Sequence, residues 1–441
     1  MRALARQLFI EALNEVSIEK AFERHLECGR GLLRVKEDLY DLGNFSRVFA
    51  IAMGKAARAM AQNLQQQMGA ILSGILIEPE ASSAEGDAQP MLAAFRHFRG
   101  GHPLPSEASL QAAKAVLQSL HYHMQNALVI FMISGGASAM IEKPLDDEIA
   151  LNDLVAAHQA LIFSGAPIAE VNAIRKHLSA VKGGRLAVAA HAGGAARQVS
   201  IMISDVPDAT PDALASGPTM PDSTTVEDCY AIAERYQLRD SLPSALRQMF
   251  ERKLLAETPK SDDLAFHHSR WSVLLSNVML QDAVATAAAF TGFAVEVDNT
   301  CDDWDYARAA DYLLGRLQEL RHGVSRVCLI SGGEVTVRIP PDGSSGIGGR
   351  NQQFALYCAG EIAGENITVL SAGSDGIDGN SPAAGGIADG STLQRALDTG
   401  ESIEAAVRGF NASPVLKSLG DDVTTGATGT NVRDLRILLA Y

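Results

Sequence analysis

The segment 331–353 reads SGGEVTVRIPPDGSSGIGGRNQQ and follows a β-rich run, Arg326–Ile330. Its pattern predicts a glycine turn, a short strand at Val335–Ile339, a glycine-rich loop and a helix at Gln352–Ala363. A strand, a glycine-rich loop and a helix start favour an anion site, because free backbone N–H groups and the helix dipole attract negative charge. Arg350 would add a planar set of donors suited to phosphate or carboxylate. A mobile surface loop with a solvated arginine is the alternative.

The composition indicates a soluble α/β protein of acidic character. The chain has 441 residues, 47% hydrophobic and 20% charged, and this length suggests two domains or three. Short β runs alternate with helical segments, which predicts the α/β class. The formal net charge of −15 excludes nucleic-acid binding through a general basic surface. Lysines and arginines in glycine-rich loops are therefore informative, because an anionic ligand would need a local positive field.

Cysteine usage and hydropathy predict a cytoplasmic protein. The odd cysteine count, without a C-x-x-C pair or metal-ligand spacing, indicates reduced thiols. The five cysteines are Cys28, Cys229, Cys301, Cys328 and Cys358. Glu11 interrupts the first apolar run too early for a signal peptide. No apolar stretch reaches the roughly 20 residues needed to span a bilayer, so we expect no membrane partner.

The segment Thr258–Ser269 is polar and irregular, and it predicts a boundary between two domains. We place the first domain at residues 1–255 and the second at residues 270–441. The apolar strand Trp271–Leu275 would then begin the second domain. Apolar residues at helical spacing predict two opening helices, Ala3–Val16 and Ile18–Leu33.

Two loops in the first half follow predicted strands. Gly54 and Lys55 come directly after Arg47–Met53, so the lysine would stand at a helix start. This is not a Walker A loop, because that motif needs glycine where the chain has Phe49. Ser134-Gly135-Gly136 follows a continuous apolar run typical of a strand buried in a parallel sheet, and ligands bind beyond such strand ends. An exposed lysine and a tight turn are the alternatives.

A basic run and two carboxylates are further candidates. Lys182-Gly183-Gly184-Arg185 concentrates positive charge and glycine in an acidic chain, and Arg175 lies seven residues before Lys182, on the same helical face. An anion site and a solvated helix face both fit this run. Asp205 and Asp375 each follow a predicted strand end, which suits a Mg²⁺ ligand or an acceptor for a substrate hydroxyl. A helix cap or turn aspartate is the alternative.

Ten short stretches give these loops a more specific meaning. In chain order they read AMGKAA (52–57), GGHPLP (100–105), ISGGASA (133–139), GAPIAEVNAIRKHLSAVKGGRLA (165–187), ISDVPD, ASGPT, SGGEVTV, GGRNQQ, SAGSDGIDG and TGTNVRDLR. In content and order they resemble the type 2 glycerate kinases, a family whose C-terminal module is called MOFRL. The chain departs from the family pattern at Ala137, where a third glycine is usual, and at Pro207-Asp208-Ala209, where a Gly-Asp pair is usual.

The resemblance implies ATP-dependent phosphorylation of D-glycerate, giving 2-phosphoglycerate in most members. It implies a Rossmann-like N-terminal domain with a parallel-type sheet, a smaller C-terminal α/β domain and an active site in the cleft between them. Lys55 and Arg350 match the family's proposed catalytic basic pair. We predict that Asp205, or alternatively Asp375, orients the glycerate hydroxyl or binds Mg²⁺. The candidates for holding ATP phosphates or the glycerate carboxylate are Ser134, Gly135, Gly136, Lys182, Gly183, Gly184, Arg185, Ser331, Gly332, Gly333, Glu334 and Asn351.

Two other functions compete with the kinase. An NAD(P)H-dependent hydroxypyruvate reductase would need G-x-G-x-x-G after a strand, and this spacing does not occur in the sequence. A non-catalytic ligand-binding relative would be expected to lack Lys55 or Arg350, and both are present. The sequence does not separate the 2-hydroxyl from the 3-hydroxyl of glycerate, and it leaves a homodimer open.

Overall fold

A computed structural model describes residues 1–80, 92–339 and 346–441. The chain forms two compact units. The N-terminal unit comprises residues 21–274, and the C-terminal unit comprises residues 1–20 together with 275–441. Residues 340–345, part of the predicted glycine-rich loop, lie outside the described residues.

The N-terminal unit contains a three-stranded meander and a six-stranded sheet. The meander strands, each antiparallel to the next, are β1 (Leu26–Gly29), β2 (Leu32–Val35) and β3 (Asp38–Asp41). The large sheet consists of β4 (Val48–Met53), β5 (Leu72–Pro79), β6 (Phe95–Gly100), β7 (Leu128–Ile133), β8 (Arg197–Ile203) and β9 (Ser269–Leu275). Its order is β6-β5-β4-β7-β8-β9, and the pairings from β6 to β8 are all parallel. This is the doubly wound Rossmann order, with the switch point between β4 and β7.

Helices cover the sheet because its central strands are apolar on both faces. Every residue of β4 (VFAIAM) and of β7 (LVIFMI) is buried. The helices of this unit are α3 (Ala57–Met68), α4 (Glu107–Tyr122), α5 (Ala137–Met140), α6 (Leu151–Phe163), α7 (Ile168–Leu178), α8 (Arg185–Ala192), α9 (Val226–Arg235) and α10 (Ser244–Glu251). Helices α6, α7, α9 and α10 share a separate apolar cluster that includes Leu161, Ile174, Ile232 and Leu246.

The C-terminal unit is built on a mixed sheet of order β10-β11-β15-β12-β13-β14. Its strands are β10 (Ala294–Val297), β11 (Val327–Gly332), β12 (Ile367–Gly373), β13 (Gly385–Asp389), β14 (Asp422–Val423) and β15 (Asp434–Ala440). Only β10 and β11 pair in parallel among these neighbours. The helices are α1 (Arg2–Glu15), α11 (Asn277–Phe290), α12 (Tyr306–Arg321), α13 (Arg350–Glu361), α14 (Thr392–Asp398), α15 (Ile403–Arg408) and α16 (Ala412–Ser418); α2 (Ile18–His25) spans the change of unit at residue 20. No helix in the described part of the chain is long and apolar enough to cross a membrane.

The unit boundaries differ from the predicted domains in two places. Helix α1 packs on α11, β12 and β13, and Arg2 forms ion pairs with Asp389 and Asp421, so the first 20 residues belong to the C-terminal unit. Strand β9 was predicted to begin the second domain, but it lies at the edge of the first sheet beside β8. Both differences arise from pairings between residues far apart in sequence.

Two local predictions were wrong. The predicted helix Ile18–Leu33 ends at His25, because Arg30 and Gly31 adopt φ of +53° and +79° and turn the chain into the β1–β2 hairpin. The predicted strand Val335–Ile339 is reduced to a single bridge between Thr336 and Asp305, because the described residues offer it no longer pairing.

Candidate active site

Lys55 lies at the switch point of the first sheet. It follows β4, and Ser134-Gly135-Gly136 follows the neighbouring strand β7, so both loops stand at the carboxyl ends of parallel strands. The Lys55 backbone N–H donates to the Gly135 carbonyl at 2.9 Å, and the Ala56 N–H donates to Ser134 Oγ at 3.0 Å. These bonds fix the lysine loop against the Ser-Gly-Gly loop, while the Lys55 residue itself stays exposed.

Glycine is required where these loops meet. Gly54 has φ of +112°, and a Cβ there would lie 2.4 Å from the Ser134 carbonyl oxygen. A Cβ at Gly135 would lie 1.9 Å from Asp205 Oδ2, so the carboxylate that follows β8 rests against the Gly135 backbone. The structure therefore brings together Lys55, Ser134, Gly135 and Asp205, which the sequence had only placed at separate strand ends.

Two N–H groups of the Ser-Gly-Gly loop are available to a ligand. Within the described residues, the Gly135 and Gly136 N–H groups donate to no other protein group. Gly136 has φ of +84°, a conformation that helps successive N–H groups point to one side of the chain. This loop has the donors that a phosphate or carboxylate group needs.

His102 was not among the predicted site residues, yet it belongs to this cluster. A Cβ at Gly136 would lie 3.1 Å from His102 Cδ2. The pKa of His102 is lowered from its usual value by burial and by the positive charge of Lys55, so the imidazole is neutral at pH 7. The segment GGHPLP is rich in turn residues, which favours a turn over a site in the sequence, and only the approach of His102 to the Ser-Gly-Gly loop places it beside Lys55.

Replacing Gly135 by alanine is expected to lower turnover about 100-fold, because the new methyl group would displace the Asp205 carboxylate by an ångström or more. Initial rates of the catalysed reaction would measure the effect. The matched control is Gly29→Ala, where a Cβ meets no atom within 4 Å. Equal rates in Gly135→Ala and Gly29→Ala would show that Asp205 need not sit where the structure has it.

The Lys182–Arg185 run is engaged internally. Lys182 and Glu142 form an ion pair, and their side chains are 1% and 0% exposed. The Gly183 and Gly184 N–H groups donate to the Ser216 and Gly217 carbonyls at 3.0 Å and 2.7 Å. The prediction that this run cradles a phosphate does not fit these contacts, since its glycine donors and its lysine are already used.

The neighbouring Lys176 and Arg185 also contact acceptors of the same unit. The Lys176 ammonium lies 2.7 Å from Asp212 Oδ2 and 3.2 Å from Asp222 Oδ1. The Arg185 guanidinium donates to the Glu257 carbonyl at 3.2 Å. Lys176 and Arg185 therefore connect α7 and α8 to their surroundings through internal polar contacts, which the sequence pattern alone could not distinguish from an anion site.

Arg350 begins α13 in the C-terminal unit and is held by two carboxylates. Its Nε and Nη2 donate to Asp434 Oδ2 and Oδ1 at 2.5 Å and 3.1 Å. Its Nη1 lies 2.8 Å from Glu334 Oε2, and the Arg350 side chain is 36% exposed. Glu334 was predicted to bind the cofactor, and that stays a prediction; Asp434, 84 residues along the chain, carried no local signal.

The start of α13 already contacts an acidic side chain of the protein itself. The Asn351 and Gln352 N–H groups donate to Asp378 Oδ1 and Oδ2 at 3.1 Å and 2.7 Å. Asn351 is buried, and its amide also contacts Asp378 and Ser371. The anion site predicted at this helix start is thus occupied by a carboxylate of the chain itself, and Asn351 supports that carboxylate.

The Ser331-Gly332-Gly333-Glu334 turn is likewise closed by side chains. The N–H groups of Gly332, Gly333 and Glu334 donate to Asn299 Oδ1, Asn277 Oδ1 and Asp302 Oδ1 at 2.8, 3.3 and 3.0 Å. A Cβ at Gly332 would lie 1.8 Å from Asn277 Oδ1. The glycines serve close packing, and the predicted phosphate cradle at this turn does not fit because its donors are taken.

A cavity of about 630 Å³ adjoins Arg350 in the C-terminal unit. Its lining includes Gly348, Gly349, Arg350, Asp375, Asp378 and Asn380. Asp375 Oδ1 accepts a hydrogen bond from the Ile377 N–H at 3.1 Å, as expected of a turn aspartate. The Asp375 side chain is nevertheless partly exposed and lines the cavity. The structure therefore brings Arg350 and Asp375 to one cavity.

Two family models and several known proteins match this chain. Residues 4–251 match the family model described as a domain of unknown function (DUF4147), and residues 327–434 match the MOFRL family. A D-glycerate 2-kinase from Thermotoga maritima is 34% identical over 97% of this chain and 98% of its own length. The chain belongs to the glycerate kinase family.

A solved structure agrees with this family membership. The crystal structure of a glycerate kinase from Thermotoga maritima is similar with a TM-score of 0.83 at 31% identity, covering 100% of this chain and 99% of that chain. Another relative, from Agrobacterium vitis, is 34% identical over 89% of this chain and 99% of its own length and is named a putative hydroxypyruvate reductase. Glycerate kinases and proteins named as reductases thus share this sequence pattern.

The carboxylates of this glycerate kinase family member fit Mg²⁺ in their chemistry. Among the described residues, no group of three or more His, Cys, Asp or Glu side chains is arranged to hold a metal ion. Nucleotide-bound Mg²⁺ needs no such group, since one or two carboxylates, phosphate oxygens and water complete its shell. Asp205 and Asp375 are partly exposed and lie in different units, and either could supply a carboxylate.

Asp378 is expected to give the glycerate kinase fold a pH-dependent stability. Burial raises the pKa of Asp378 from 3.8 to about 7, against backbone N–H donors that favour the charged form. A raised folded-state pKa gives stability that is complete below pH 3.8 and is lost as the pH rises through about 7. Urea unfolding at pH 4 to 8 should show wild type losing stability relative to Asp378→Asn across that window. A constant difference would contradict the assignment.

Proposed function

We propose that this chain transfers the γ-phosphoryl group of ATP to the 2-hydroxyl of D-glycerate, giving 2-phosphoglycerate and ADP. The observation that carries the proposal is Lys55 at the sheet switch point, tied to a Ser-Gly-Gly loop whose Gly135 and Gly136 N–H groups have no acceptor among the described residues. It stands in a chain of the glycerate kinase family, and the Thermotoga maritima relative is named a D-glycerate 2-kinase.

The residues support phosphoryl transfer by their charge and placement. This reaction depends on positioning and on neutralising charge over the transferred group. In the proposal, the Lys55 ammonium and the Arg350 guanidinium contact phosphoryl oxygens and offset the charge that builds in the transition state. Lys55 belongs to the N-terminal unit and Arg350 to the C-terminal unit.

The remaining roles follow from what each group offers. Gly135 and Gly136 would donate their N–H groups to a phosphate of ATP or to the glycerate carboxylate. Asp205, beside Gly135, would accept the hydrogen bond of the glycerate hydroxyl or bind Mg²⁺, with Asp375 as the second candidate for either role. Bound Mg²⁺ would neutralise charge on the ATP phosphates.

A cytoplasmic location is part of the proposal. All five cysteines are free thiols, and Cys229, Cys301, Cys328 and Cys358 are buried, as expected in a reducing compartment. A homodimer is also part of the proposal.

A paired assay on the purified protein tests the proposed reaction. One arm follows ADP release from Mg-ATP with D-glycerate, and the other follows NADH or NADPH oxidation with hydroxypyruvate. We expect ADP release only when D-glycerate is present, and no cofactor oxidation. Oxidation of NADH or NADPH without ADP release would contradict the kinase proposal and support the hydroxypyruvate reductase. The Ser-Gly-Gly loop would then have to bind the dinucleotide.

A further inference from the structure

Two carboxylates on Arg350 differ in how firmly they are held. Asp434 is 2% exposed, begins β15 and engages Arg350 through both oxygens. The Glu334 side chain is 31% exposed and engages Arg350 through one oxygen at 2.8 Å. Two-point contacts from a buried carboxylate fix the plane of a guanidinium, whereas a one-point contact at a partly exposed edge exchanges readily.

The backbone of Glu334 is fixed even though its carboxylate is less firmly held. Its N–H donates to Asp302 Oδ1 at 3.0 Å, and Arg433 holds Asp302 through two bonds of 2.7 Å and 2.6 Å. The preceding Gly332 and Gly333 carbonyls accept from the fully buried Arg436 at 2.8 Å and 2.9 Å. Only the side chain of Glu334 is therefore left to rotate away from Arg350.

The charges at Arg350 favour an exchange with an incoming anion. One guanidinium is shared by two carboxylates, so Glu334 and Asp434 compete for the same positive group. The pKa of Glu334 is raised by burial and by the neighbouring Asp434, so the ionised form of this carboxyl group is less stable here than in water. A phosphate at the same guanidinium edge would supply more acceptor oxygens than Glu334 does.

We propose that Asp434 is a positioning residue that sets the orientation of Arg350, and that Glu334 is an exchangeable internal anion. Glu334 occupies an edge of Arg350 until a phosphate of the substrate replaces it, while Asp434 stays in place. This inference rests on the proposed function for the role of Arg350 in turnover, but the exchange itself concerns anion binding alone. Neither role was assigned to these residues by sequence reasoning.

Binding of inorganic tripolyphosphate, measured by calorimetry, tests the exchange without relying on the reaction. Glu334→Gln removes the competing charge, so we expect about fivefold tighter binding than in wild type. The gain should vanish in the double variant with Arg350→Ala. The matched control is Glu319→Gln, which alters a carboxylate 2.9 Å from Arg316 in the same unit. Unchanged or weaker binding in Glu334→Gln would overturn the exchange.

Kinetics with Mg-ATP and D-glycerate test the positioning role. Asp434→Asn should lower kcat about 100-fold with KM for ATP little changed, because Arg350 keeps its charge but loses its orientation. Asp434→Glu keeps the negative charge but changes its distance from Arg350, and it serves as the test if the asparagine variant does not fold. We expect Asp434→Glu to lower kcat about tenfold. A kcat within twofold of wild type in either variant that folds would overturn the role of Asp434. If the wild-type protein forms no ADP, the proposed function is contradicted. The tripolyphosphate measurement would still test the exchange of Glu334, because it does not depend on the reaction.

Discussion

Lys55→Ala is expected to lower the rate of ADP formation about 100- to 1,000-fold, which is typical when a preorganised group that stabilises transition-state charge is removed. Lys55 is exposed and is anchored through its backbone to Gly135, so the alanine variant keeps that bond and should fold. The loss should therefore appear in turnover, with thermal unfolding close to that of wild type.

A second readout of Lys55→Ala does not depend on activity. Lys55 lowers the pKa of His102, so removing the ammonium should raise that pKa toward its usual value. Titration of the His102 ring protons by NMR measures the change. Lys114→Ala, at an exposed position on α4, is the control and should leave both the rate and the His102 titration unchanged. A Lys55→Ala variant with wild-type turnover would remove the lysine from the site.

Lys182→Ala is expected to reduce the free energy of unfolding by about 3–5 kcal/mol, because it leaves the buried Glu142 carboxylate without its partner. Ser179 Oγ would still donate to Glu142, which satisfies one oxygen but not the charge. Urea unfolding compared with wild type measures the loss. The double variant Glu142→Gln/Lys182→Met removes both charges, and it should be clearly more stable than Lys182→Ala.

The same variants separate the structural role of Lys182 from the phosphate role that the sequence favoured equally. A phosphate ligand at position 182 would raise KM for ATP while changing stability little. Stability within about 1 kcal/mol of wild type, together with a raised KM, would contradict the buried ion pair. The Lys182→Ala assay should be run at a temperature where unfolding shows the variant to be folded.

Sequence reasoning succeeded where the signal was local. The apolar runs at 47–53 and 127–133 are buried strands of the first sheet, and each is followed by its predicted glycine loop. Strands that are buried on both faces can be predicted from sequence because they form uninterrupted apolar runs. Glycine directly after a strand indicates that another backbone approaches closely there. The α13 start at Arg350 was also predicted to within two residues.

The remaining features depend on pairs that are distant in sequence. Glu142 lies 40 residues before Lys182, and Asp434 lies 84 residues after Arg350, so no spacing pattern could connect them. A run of Lys, Arg and Gly looks the same whether its donors meet a phosphate or the chain's own carbonyls. Helix α1 was predicted correctly, but its packing on α11 in the C-terminal unit was not, because amphipathic helices do not specify their partners.

Proton-coupled ³¹P NMR of the reaction with Mg-ATP and D-glycerate tests the central claim most directly, since it reports both the transfer and the hydroxyl used. A phosphoryl group on the 2-hydroxyl couples to a single carbon-bound proton, and one on the 3-hydroxyl couples to two. We expect a new phosphomonoester doublet that grows as the γ-phosphate signal of ATP falls. A triplet would contradict the proposed regiochemistry, and an absent phosphomonoester signal would contradict the kinase itself.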